Sequence, residues 1–274
     1  MNNITTVENI ILFFALIGLI IVDLEYLLTS SIYSQQSLLT WQILRIRSEY
    51  LKSNKIAQYL DVFFDYPGII FIFGCRLFFS LFSLLILAQN SSYNLFLIFG
   101  IFILTLLVNY RNPLGQDGSD QMLNIIICIL LINKLFSGNF QVREIGIFFI
   151  CLQSCSSYTI AGLAKSIGNK WLEGNAVTEI LSTRSYGNLY VANLLNKNLW
   201  LGKILTWSSI IIETIFPFVI ILPNPYWSFF LAWGFLFHLF NAIVMGLNVF
   251  FLAFIATYPA IIYVHLVIER LLNK

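Results

Sequence analysis

Long apolar runs broken by short polar stretches make up most of this chain. A helix that crosses the ~30 Å hydrocarbon layer needs about 20 mainly apolar residues. Eight runs approach that length: 7–28, 69–88, 93–108, 121–137, 144–165, 199–222, 226–246 and 247–268. The third is short for a crossing, and the first carries two acids, Asp23 and Glu25. The last two form one continuous run of about 40 residues, too long for a single crossing, and a turn at Gly246-Leu-Asn248 divides them. The pattern predicts an all-α polytopic transmembrane bundle of about eight spans, built as a single membrane domain. Residues 1–68 form a first span and a basic loop, and 69–268 form the helical core. No internal repeat or low-complexity tract interrupts it.

The polar loops carry most of the cations. Arg45, Arg47, Lys52 and Lys55 follow the first span, Arg111 follows the third, and Lys170, Arg184 and Lys197 follow the fifth, bounded by Lys165 and Lys203. With eight spans these loops share one side, against Lys134, Arg143, Arg270 and Lys274 on the other, so the positive-inside rule favours both termini outside. Within the first loop, 39–51 places apolar residues near helical spacing with cations between them, the pattern of a helix lying in the headgroup layer. Asp65-Tyr-Pro67-Gly68 marks a turn into the second span. Arg76, about two turns inside that span, is expected to form a structural ion pair with an acid.

Composition narrows the class further. Hydrophobic residues make up 59% of 274 and charged residues only 10%, where a soluble domain carries roughly 25% charged. This is a lipid-embedded protein. A formal charge of +2 offers nothing to a nucleic-acid partner. The N-terminal residues lack the basic start and small-residue cleavage site of a secretory signal. Cys75, Cys128, Cys151 and Cys155 lie in apolar segments, with neither a disulfide framework nor zinc spacing.

Candidate chemistry concentrates in three spans. The fifth is the least lipid-like: at helical spacing Ser154, Tyr158, Ala161 and Lys165 share one stripe. Ser157, Ala161 and Ala164 offer small residues against which a neighbour can pack. Lys165 ends the apolar run and is followed by a polar loop anchored by Trp171. A lysine there either snorkels to the interface or serves a purpose inside the bundle. Glu213 lies mid-way along the sixth span, and His238 mid-way along the seventh, with Asn241 and Met245 following on its face. Because these spans are consecutive, Glu213 and His238 fall at similar depth. They are either a carboxylate–imidazole proton relay or a buried pair that fixes helix register.

In order and spacing these residues resemble the HTTM family, the membrane domain shared with vitamin K-dependent gamma-carboxylase. The resemblance rests on Ala161-Gly-Leu-Ala-Lys165 followed by Trp171-x-x-Gly174-x-Ala176, and on Glu213-x-x-x-Pro217. It extends to His238 with Met245-Gly246-Leu247, to Tyr258, and to the turn Asp117-Gly118-Ser-Asp120. It implies a lipid quinone as redox partner, Lys165 as the base that deprotonates it, and Glu213 and His238 in support. Tyr158, Trp171 and Asn241 stand as candidate cofactor-binding residues. The chain has Ala164 where the carboxylase carries a second lysine, and it has neither that enzyme's large extramembrane domain nor its propeptide-recognition region. Gamma-carboxylation itself is therefore not expected.

Three readings follow. The first is a membrane enzyme that uses a lipid quinone or modifies a peptide. The second is a non-catalytic membrane partner or maturation factor in which the buried charges only lock the bundle. The third is a proton-coupled transporter, which the missing repeat disfavours. The enzyme reading requires Lys165 to face an interior cavity. The non-catalytic reading places it among the headgroups with no pocket beside it.

Overall fold

A computed structural model describes residues 4–37, 39–45, 61–89, 92–113 and 116–273. Among these residues every regular element is helical. The long helices are α1 (Ile4–Leu28), α2 (Gly68–Ala88), α3 (Leu95–Arg111), α4 (Gly118–Leu135), α5 (Phe140–Ser166), α6 (Leu199–Ile215), α7 (Tyr226–Met245) and α8 (Asn248–Leu272). Seven of them, counting α6 together with the 3-10 turn Phe216–Ile220 that extends it, are long and apolar enough to cross a membrane. The protein is a multi-pass integral membrane protein. Helix α3 has 17 residues, about 25 Å at ~1.5 Å per residue, and is the one predicted crossing that falls short of the others.

Local chemistry sets the helix ends. Asn94 accepts hydrogen bonds from the Phe96 and Leu97 amides to start α3, and Asp117 and Asp120 form a capping box at the start of α4, satisfying amides that otherwise lack partners. The predicted break in the last apolar run is present: α7 ends at Met245 and Gly246 takes φ 76°, a left-handed conformation that glycine adopts without a Cβ penalty. Pro217 has no amide to donate, and there α6 tightens into the 3-10 turn.

The chain divides into two compact units, Leu12–Gly138 and Met1–Ile11 with Asn139–Lys274. In the first, Arg76 meets Asp23 in the expected ion pair, with Nη2 2.7 Å from Oδ1 and both side chains buried. The guanidinium of Arg111 donates to the carbonyls of Phe64 and Leu39 at 2.7 and 2.8 Å and lies over the rings of Tyr33 and Trp41. Trp41 in turn donates to Asp61 at 2.7 Å. One buried cation thus ties the end of α3 to the carbonyls of the helical residue Phe64 and the turn residue Leu39. Of the predicted interfacial helix over 39–51, Trp41–Leu44 is helical; 46–51, with Arg47, and Lys52 and Lys55 beyond it lie outside the described residues.

The second unit holds α5 to α8. Arg143 of α5 reaches Glu8 at 2.6 Å, where the carboxylate is buried. Helix α5 packs along α6 and α8, and α7 packs along α8 and the 3-10 turn. Between Ser166 and Leu199 the chain forms a cap of three short helices, Asn169–Leu172, Ala176–Leu181 and Leu189–Lys197.

Candidate functional site

The polar stripe read on the fifth span is the hub of this unit. One face of α5 sends a side chain to each of three neighbouring helices. Ser154 shares a 2.8 Å hydrogen bond with Thr257 of α8. The Tyr158 hydroxyl lies 2.9 Å from Nε2 of His238 on α7. Lys165 Nζ donates to Glu213 of α6 at 2.5 Å and to Ser209 at 2.9 Å. Hydroxyl and ammonium groups on an apolar helix need partners inside the bundle, and each of these has one.

Lys165 therefore turns inward. Its side chain is 18% exposed and that of Glu213 is 2% exposed. The reason is the register of the helices. Lys165 closes α5, but its partners Ser209 and Glu213 lie ten and fourteen residues into α6, about 15–21 Å from its start. Helix α5 stops well short of the start of α6, and the cap fills the space beyond it. Gly174, at φ 80°, sits against Lys203 of α6, where an added Cβ would come within 2.8 Å of its side chain. The Thr206 hydroxyl donates to the Gly174 carbonyl at 3.2 Å. Outside the spans, Lys170 bridges Glu179 at 2.8 Å, and that carboxylate, with Glu173 behind it, raises the lysine pKa above its ordinary value.

A cavity of about 450 Å³ opens beside Lys165. The cap supplies Trp171, Val177, Ile180 and Leu181; α6 supplies Leu205, Ser208 and Ser209; α7 supplies Trp233, Leu236, Phe237, Phe240, Asn241 and Met245. The Lys165 ammonium stands 5.0 Å from the Trp171 ring centroid and 5.3 Å from that of Phe237, within range of cation–π attraction. The wall is apolar and aromatic except at Lys165, Ser208, Ser209 and Asn241. That is the make-up of a small-molecule site: mostly hydrophobic, with a few polar groups to orient a ligand.

The predicted site residues separate into two groups. Lys165, Trp171 and Asn241 share the cavity wall, and Glu213 stands behind Lys165. Tyr158 and His238 form a second buried pair off that wall, with Tyr158 stacked on Phe216 at 3.9 Å and His238 stacked on Phe254 at 4.5 Å. The expected Glu213–His238 contact is not made, because each already has another partner and α6 and α7 do not pack along one another. His238 Nδ1 is buried and meets no hydrogen-bond partner among the described residues.

Two further points differ from the sequence reading. Helix α5 approaches α6 closely at Gly162, where a Cβ would lie 2.5 Å from the Thr214 amide nitrogen. Of the small residues singled out on α5, Ser157 and Ala161 are half-buried and Ala164 is exposed. Ser209 was not singled out, although it lies one helical turn before Glu213 and so on the same face. Cys151 and Cys155 are free and buried. Among the described residues no three His, Cys, Asp or Glu side chains gather as a metal site. Compared with known protein families, curated proteins and solved structures, the chain finds no match.

Proposed function

We propose that this is a membrane enzyme of the HTTM type that acts on a lipid-dissolved quinone or, through one, on a peptide, with Lys165 and Glu213 as its proton-transfer pair. The observation that carries the reading is the inward turn of Lys165 onto the wall of the cavity, against Glu213. The aromatic side chains of Trp171, Trp233, Phe237 and Phe240 would hold a flat ring, and Lys165, Asn241 and Ser208 would meet its oxygens. A hydroquinone, when bound, supplies reducing equivalents and weakly acidic hydroxyl protons. The direct Lys165–Glu213 hydrogen bond makes the pair, rather than either residue alone, the unit of proton transfer. Because Glu213 stands behind Lys165, the proton would pass by relay: Lys165 gives a proton to the Glu213 carboxylate and takes one from the ring hydroxyl, and so is again an ammonium beside the oxyanion it leaves. The sequence reading gave the base role to the lysine alone.

A second reading is favoured by a different observation. Two of the three Lys165 donors bond within the bundle, and Gly162 locks α5 against α6 beside them. In a non-catalytic partner or maturation factor the pair would be this lock and nothing more.

Mass spectrometry of lipids extracted from the gently purified protein separates the two. The comparison protein is Lys165→Met/Glu213→Gln, which removes both charges together and leaves neither buried alone. A quinone in near-stoichiometric amount in the wild type, lost in the variant, is the expected result. Bulk phospholipid alone in both samples would overturn the enzyme reading and leave the lock.

A further inference from the structure

Among the described residues, two walls of the cavity do not pack on one another. Consecutive helices α6 and α7 are joined through the 3-10 turn but do not pack along one another. The cavity lies between them, lined by Leu205 and Ser208 on one side and Leu236 and Phe240 on the other. Two of these wall residues are also well exposed: Leu236 is 62% exposed and Leu205 37%. Both stand within membrane-spanning helices. A side chain exposed on a spanning helix meets acyl chain, so a gap between these two would open to the bilayer. At the other end the cap closes the cavity with Trp171 over Lys165 and with Leu181, which is 1% exposed.

Charge limits what can enter. Lys165 and Glu213 cancel, and the other polar groups of the wall, Asn241, Ser208 and Ser209, are neutral. A ligand bringing a phosphate or carboxylate would stand near the buried Glu213 with no unpaired cation to balance it, a costly arrangement at low dielectric. A neutral head with hydrogen-bond acceptors meets the remaining Lys165 N–H and the Asn241 amide without that cost, while the Ser208 hydroxyl, which donates to the Leu205 carbonyl, offers only its lone pairs. Lys165, Asn241, Ser208 and Ser209 are the polar residues of an otherwise apolar wall, so an occupant needs a small polar head and an apolar remainder.

We propose that the α6–α7 gap is a lateral portal through which a neutral-headed, single-chain lipid enters from the bilayer, head towards Lys165 and chain trailing out between Leu205 and Leu236. This rests on the cavity of the proposed function and adds the route and the charge class of its ligand. It does not require that the ligand be a quinone.

The test is photo-crosslinking in nanodiscs, with probes of one chain length carrying a diazirine near the head or near the chain end, and bearing either a hydroxyl or a carboxylate head. The hydroxyl probe is expected to label the Trp171–Phe237 level from its head-end diazirine and the Leu205–Leu236 level from its chain-end diazirine. Leu205→Trp/Leu236→Trp narrows the portal and is expected to cut head-level labelling about tenfold, the equivalent of ~1.4 kcal/mol. Phe229→Trp, an exposed position outside the cavity wall, is expected to change nothing. The labelling map of the wild type decides the question even if the double variant folds poorly. Head-level labelling unchanged in a folded portal variant would overturn the route, as would chain-end labelling on the cap helices. Equal labelling by the carboxylate probe would overturn the charge class. If labelling follows this pattern while no quinone is found in the lipid extract, the portal stands and the quinone reading falls.

Discussion

The ammonium of Lys165 and the carboxylate of Glu213 face each other across the α5–α6 contact, one at the edge of a cavity and the other behind it. A buried pair of this kind adds little over an apolar replacement, but breaking it strands one charge. Lys165→Met is therefore expected to destabilise the protein by about 3 kcal/mol, because Glu213 is left without its cation. Adding Glu213→Gln is expected to recover most of that loss. Unfolding of the single and double variants in mixed micelles checks the pair, and equal stability of the single variant and the wild type would show that the ion pair is not closed in the membrane.

Two glycines should respond differently to the same methyl group. At Gly162 an added Cβ meets the Thr214 backbone at 2.5 Å, and at Gly234 it meets the Tyr258 hydroxyl at 2.5 Å and the Tyr158 hydroxyl at 3.1 Å. Backbone in a packed helix has nowhere to go, while a side-chain tip can shift. Gly162→Ala is expected to cost about 2–3 kcal/mol, in the range of overpacked cores. Gly234→Ala is expected to cost less, but to disturb the Tyr158–His238 hydrogen bond. Thermal unfolding ranks the two, and the shift of a tyrosine O–H vibration in the infrared reports the second effect.

Lys170 gives the cap a pH dependence. Glu179 and Glu173 raise its pKa above the ordinary 10.5, so the folded cap holds this proton more tightly than the unfolded chain does. The contribution is fully present below that ordinary value and disappears as pH rises through the raised one. The ion pair is solvent-exposed, so the effect is small and weakened by salt. Limited proteolysis of the 168–198 segment is expected to quicken above pH 10.5 in the wild type. The change should be smaller in Glu179→Gln, where the raising charge is gone. An identical pH profile in both proteins would remove the pair from the account of cap stability.

The membrane class and the long helices are legible in the sequence, because crossing a bilayer demands a length and an apolar composition that can be counted residue by residue; the three short cap helices are not, since they carry no such length requirement. The sequence also located the break at Gly246, where only local backbone geometry is at stake. It picked out Arg76 and Lys165 as charges needing an explanation, since a cation in an apolar run is costly wherever it lies. Choosing the partners needed the tertiary structure. Asp23 and Arg76 are far apart in sequence, and nothing in their local patterns specifies the pairing. Counting depth put Glu213 level with His238, yet depth is one coordinate, and the separation of α6 from α7 belongs to the other two. The same separation creates the cavity beside Lys165, which no periodicity could reveal. A hydrophobic pattern states which faces avoid water but not whether a face meets lipid, another helix or an internal space, because all three are apolar surroundings for the same residue.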